Sequence, residues 1–178
     1  MSEVQDALLR SQMRRLPEQN RVRMENAEYL SDRLAEISGI RVLTRDPDVT
    51  RSSIHVYLAR FISEEFEGLS RDSFIKAVEA EGIPLRTGYR APLQEYALFA
   101  GGMDFPQGEN WYSNAALNGG VGYSGMETPV ASRLCSEEAI TLYQSVFLGP
   151  RADMDSIVEA IAKVRENIGE LIGAGTTV

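Results

Sequence analysis

The chain has 178 residues, with 26 acidic side chains against 18 basic ones and a formal net charge of −8. No basic patch stands out, which argues against nucleic acid or an anionic membrane surface as a partner, and no apolar run approaches the roughly 20 residues of a membrane span. One cysteine and one histidine exclude an internal disulfide and a metal site of the usual histidine and cysteine kind. A chain of this length forms one domain or little more and buries about 70% of the surface its unfolded form would expose. The opening "MSEVQDALLR" is amphipathic and mixed in charge, unlike a signal peptide. With the lone thiol, that predicts a reducing, cytoplasmic setting.

The first predicted element is a long helix over residues 2–38. Ser2 and Gln5 have the spacing of a capping box. Val4, Ala7, Leu8 and Leu16, then Val22, Ala27, Leu30, Leu34 and Ile37, follow helical periodicity. Pro17 lacks an amide donor, so a kink or a restart is expected there, and Gly39 stands where a helix C-cap belongs. "GIRVL" (39–43) predicts a short strand and "DPDVTRSS" (46–53) a loop. "IHVYLARFI" (54–62) predicts a central strand covered on both sides. "LSRDSFIKAVEAEG" (69–82) predicts a helix capped by Ser70, favoured by Asp72 in its first turn and ended by Gly82. "IPLRT" (83–87) is a further short strand.

Residues 88–127 combine many glycines with Tyr89, Tyr96, Phe99, Phe105, Trp111, Tyr112 and Tyr123. A stretch that long without regular structure is usually a functional loop or disordered, and its aromatics argue against simple disorder. The part at about 100–127 is expected to be a loop that covers a sugar or packs a dimer interface. "SEEAITLY" (136–143) predicts a short helix and "YQSVFLG" (143–149) a strand. "DMDSIVEAIAKVRENIGELIG" (153–173) predicts one helix with Ile157, Val158, Ile161, Val164, Ile168 and Leu171 as its buried stripe. The resulting class is α+β: a linking helix over 1–38, then a small α+β domain over 39–178 with its sheet covered by helices on one face.

Four stretches in this order resemble the C-terminal half of the DegT/DnrJ/StrS family, the pyridoxal-phosphate (PLP) dependent sugar aminotransferases. "MSEVQDALLRSQMRRL" is similar to the segment that opens the family's long helix, and "IHVYLARF" to its histidine-bearing strand. "SRDSFIKAVEAEGIPLRTGYRAPL" matches its helix, its "EGIP" turn and its Tyr-x-x-Pro-Leu loop. "LCSEEAITLYQSVFLGPRADMDSIVEAIAKVREN" resembles its closing strand and helix. The resemblance implies the small domain of a fold-type I PLP enzyme, with a mostly antiparallel sheet. It implies PLP in the full-length enzymes, a homodimer or a PLP-domain partner, and a sugar substrate. It also implies that the half holding PLP and its Schiff-base lysine is absent from this sequence, so that the chain alone binds no cofactor. Gly88 stands before Tyr89 where many relatives place histidine.

The two lysines, Lys76 and Lys163, are the first candidates for chemistry. A Schiff-base lysine attacks as the neutral amine and needs a desolvated or electropositive pocket. Both instead fall on amphipathic helices with an acid four residues before, Asp72 and Glu159, which is the pattern of a solvated helix face. No catalytic residue is therefore expected in the chain. His55 could be a general base, but a lone histidine in an apolar strand is more often a hydrogen-bonded core residue. Cys135 reads as a buried structural thiol. Tyr89 and Arg90, just past a strand end, are the candidates for substrate binding. Arg90 could hold a carboxylate or phosphate by a fork of hydrogen bonds, or lie on the surface beside a packed tyrosine. Three functions compete: the substrate-side domain of an aminotransferase of sugars or aminocyclitols, a separately encoded module that complements a PLP-binding half, and a non-enzymatic ligand-binding domain.

Overall fold

Helix α1 spans Glu3–Leu34 and begins as its sequence predicts. Ser2 accepts from the Gln5 amide and the Gln5 side chain returns to the Ser2 amide, a complete capping box. Of the kink or restart expected at Pro17, the restart does not occur, and one helix runs through that position. Both ends of the missing bond, Met13 and Pro17, lie in the exposed part of the helix, where water can satisfy the freed carbonyl. The helix also stops at Leu34, short of residue 38. Gly39 serves a different purpose from a cap. It has a φ of +88°, and a Cβ there would lie 2.4 Å from the Phe66 ring, so only glycine admits the close approach.

The computed structural model describes residues 2–96, 99 and 126–175. The glycine- and aromatic-rich stretch expected at about 100–127 lies almost wholly outside the described residues. The sheet has four strands in the order β1-β2-β4-β3: β1 Ile40–Val42, β2 Val56–Phe61, β3 Arg86–Thr87 and β4 Ala139–Tyr143. All pairings are antiparallel, with Ile40 opposite Phe61, Ala59 opposite Ile140 and Arg86 opposite Thr141. Strand β2 is central, as its apolar sequence predicts.

Helix α2 spans Arg71–Ala80, capped by Ser70, and Gly82 follows it with a φ of +89°. The region 134–149 departs from expectation. Residues predicted as helix form a π-helical turn, Leu134–Glu138, followed by strand β4, and residues predicted as strand form a 3-10 turn, Val146–Leu148. The short helix α3, Pro129–Arg133, leads into the π turn. The expected single C-terminal helix is two, α4 Arg151–Glu166 and α5 Ile168–Gly175, divided at Asn167.

By strand alternation, Ile40, Val42, Tyr57, Ala59, Phe61, Ile140 and Leu142 share the inner face. They pack with Leu30 and Leu34 of α1, Phe74 and Val78 of α2, and Met154, Ile157 and Ile161 of α4. Phe61, Phe66 and Phe74 form an aromatic triad with ring centroids 4.6–5.1 Å apart. The opposite face carries Leu58, Arg60, Ala139 and Thr141 and meets the π turn instead of a long helix. Asn26 ties α1 to the 3-10 turn by donating to the carbonyls of Phe147 and Gly149, each at 3.0 Å. Tyr29 donates to Asp155 of α4 at 2.5 Å, under the Arg151 guanidinium. Among the described residues no helix is long and apolar enough to cross a membrane.

Candidate substrate groove beside Tyr89

Tyr89 and Arg90 follow the end of β3, at the edge of the sheet. Gly88 brings them there, since a Cβ at that position would lie 2.8 Å from the Ala139 Cβ. Tyr89 is 72% exposed, so the alternative of a packed tyrosine beside a surface arginine does not hold. Arg90 is exposed too and makes no ion pair among the described residues. Beyond them Pro92 leads into a 3-10 turn, Leu93–Glu95. Here the chain forms an open groove of about 700 Å³, lined by Tyr89, Pro92, Leu93, Tyr96, Phe99 and Cys135.

The far wall of the groove is the π turn that carries Cys135. Arg71, buried at the first position of α2, holds this turn by donating from Nη1 to the Cys135 carbonyl at 2.8 Å. The near wall is fastened to α3 and its approach. Gln94 bonds the Thr128 hydroxyl, and the Ser132 hydroxyl donates to Glu95 at 3.3 Å. Cys135 is thus half-buried in a groove wall instead of being a core thiol. The groove presents aromatic faces and the Tyr89 phenol, with Arg90 next to Tyr89 in the chain, which suits a ring with one apolar face and polar substituents. The place of Tyr89 just past a strand is legible in the sequence. Leu93 and Cys135 carry no such signal, because the π turn that brings them together is a tertiary feature.

The remaining candidates are scattered. His55 is exposed at the bend before β2, contrary to the expectation of a core histidine. Lys76 is exposed on α2 without the expected Asp72 partner, since Asp72 instead pairs with Arg71 at 3.0 Å. Lys163 is exposed on α4 and reaches Glu81 at 2.7 Å across the gap to α2, not Glu159 on its own helix. Neither lysine lies in an enclosed, desolvated place, so neither fits the aldehyde of PLP. No group of three or more acidic, histidine or cysteine side chains among the described residues is arranged to hold a metal ion.

Comparison with known proteins gives this fold and groove a context. The chain is 35% identical over 174 residues to the L-glutamine:2-deoxy-scyllo-inosose aminotransferase of Streptoalloteichus tenebrarius, covering 96% of this chain and 39% of that enzyme. The chain therefore spans about 40% of the length of the curated relatives it matches. Its fold is similar to part of 3-amino-5-hydroxybenzoic acid synthase, with a TM-score of 0.63 at 21% identity over 89% of this chain and 37% of that one. The aminotransferase TlmJ from Streptoalloteichus hindustanus superposes with a TM-score of 0.58 at 22% identity, covering 91% of this chain and 35% of that one. Residues 1–142 match the DegT/DnrJ/EryC1/StrS aminotransferase family, and the chain belongs to that PLP-dependent family.

Proposed function

We propose that this chain is the small, substrate-side domain of a PLP-dependent aminotransferase that acts on an aminocyclitol or nucleotide-sugar precursor. The observation that carries the reading is the 35% identity, over 96% of the chain, to an aminotransferase of 2-deoxy-scyllo-inosose. In this reading the cofactor and its lysine belong to a large domain outside these 178 residues, because Lys76 and Lys163 are both exposed on helix surfaces and Lys163 is paired with Glu81. PLP would supply the electron sink, while this domain would supply orientation. The groove beside Tyr89 takes the cyclitol or sugar ring, with Tyr89 and Tyr96 against its apolar face and Arg90 at its rim.

The assembled enzyme would be a homodimer in the cytoplasm, serving sugar or aminocyclitol biosynthesis. The apolar residues Val4, Leu8, Met13 and Leu16 on the exposed start of α1 support a further protein body beside this domain. The test is to join the chain to the large domain of a curated relative and assay transamination of 2-deoxy-scyllo-inosose with L-glutamine. Activity should return, and Arg90→Ala should lower kcat/KM by about tenfold to a hundredfold. A well-folded fusion that binds PLP but transaminates no cyclitol or sugar ketone would refute the reading.

A further inference from the structure

The outer face of the sheet carries a charge cluster next to the groove. Glu138, the last residue of the π turn, keeps only 12% of its side chain exposed and is held from two sides. Arg60 of β2 approaches one carboxylate oxygen through Nε at 2.7 Å, and Arg133 of α3 approaches the other through Nε at 2.7 Å. Each arginine thus commits its Nε to Glu138. Their terminal amino groups make no hydrogen bond or ion pair to another described residue. The acid lies inside, while the two cations are 36% and 55% exposed.

Two guanidinium groups against one carboxylate leave one positive charge uncompensated. A single arginine would already neutralise the buried acid, so the pair does more than anchor the π turn. Glu95 and Glu137 belong to the same region, but neither pairs with Arg60 or Arg133 among the described residues. The cluster adjoins the groove through two chain connections. Ala139, next to Glu138, is the residue on which Gly88 packs, and Cys135, in the same π turn as Glu138, lines the groove with Tyr89.

We propose that Arg60 and Arg133, oriented by Glu138, form a receptor for the carboxylate of a small-molecule ligand at the rim of the Tyr89 groove. A planar guanidinium matches a carboxylate in shape and donor spacing, and a buried acid that fixes Nε presents the remaining donors outward as a fork. The identification of the ligand as the amino-acid donor rests on the aminotransferase reading, because every such donor carries an α-carboxylate. A phosphoryl group has related chemistry and is separated by the experiment.

The test records side-chain Nε–H resonances of arginine in the 178-residue chain, assigned by their loss in Arg60→Gln and Arg133→Gln. The chain is titrated separately with acetate, L-glutamine, L-glutaminamide and inorganic phosphate. Saturable shifts of both resonances are expected with acetate and L-glutamine but not with L-glutaminamide, which lacks the carboxylate. Arg133→Gln, at the more exposed partner, should weaken binding about tenfold or more, while Arg45→Gln, whose partner is Glu28 on α1, should leave it unchanged. Absence of a saturable shift with either carboxylate, or undiminished binding in Arg133→Gln, would overturn the proposal, and a response to phosphate alone would overturn the carboxylate assignment. Carboxylate binding in a chain whose fusion never transaminates would leave this site standing while sinking the aminotransferase reading. An active fusion indifferent to Arg133→Gln would do the reverse.

Discussion

The two halves of α1 differ more than their sequences do. From Glu3 to Glu18 every residue is exposed, including Leu8 at 62%, whereas Arg23, Asn26, Ala27, Leu30 and Leu34 of the second half are buried and Leu30 retains no exposure at all. Both halves carry apolar residues at helical spacing. The second half rests on α4 and the 3-10 turn, fastened by Asn26 and Tyr29, while the first half has, among the described residues, its capping box and the ion pair of its last residue, Glu18, with Arg21. Periodicity therefore reports that a helix has an apolar face. It does not report whether anything in the same chain covers that face.

The widest gap between the halves should appear in core truncations. Leu30→Ala is expected to destabilise the chain by about 2–5 kcal/mol, against no more than about 0.5 kcal/mol for Leu8→Ala, both by urea denaturation. Equal losses would mean that the first half is also covered, by self-association of the chain. Next in size is Asn26→Ala. It strips a donor from two partly or fully buried carbonyls and should cost about 1–3 kcal/mol, whereas Gln12→Ala on the exposed half should leave the denaturation midpoint in place.

A pH experiment sharpens the contrast further. Burial raises the pKa of the Tyr57 hydroxyl above its ordinary value of 10.0, and this group shares a 2.9 Å hydrogen bond with Ser31 of the packed half. The folded chain thus holds the phenol proton more tightly than the unfolded chain. That stability is fully present below pH 10 and is lost as pH rises through the folded value. Tyr57→Phe should lose about 1 kcal/mol at neutral pH and show a flatter alkaline limb. An unchanged alkaline limb would show that Tyr57 does not titrate with unfolding. The smallest effect belongs to the helix start. Ser2→Ala should fray the first turn at a local cost of about 1 kcal/mol, visible in amide exchange of residues 3–6, without moving the midpoint. A lowered midpoint would tie the start of the helix to the domain's stability.

The start of α1 and both limits of α2 were legible in the sequence alone, because capping boxes, serine caps and glycines of positive φ act over three or four residues. So were the centrality of β2, the exposure of both lysines and the family, since apolar runs, solvated helix faces and ordered motifs lie within contiguous segments. Tertiary structure decided the rest. "SEEAITLY" reads as a helix start, yet Ala139–Leu142 are buried between β2 and β3. Pairing on both edges outweighs a local preference worth only tenths of a kcal/mol per residue. The same long-range packing broke the expected local pairs. Lys163 turned from Glu159 to Glu81, Cys135 moved from the core to a groove wall, and Glu138 came between Arg60 and Arg133. Contacts between residues so far apart in sequence depend on how helices and strands stack, which no short window of sequence encodes.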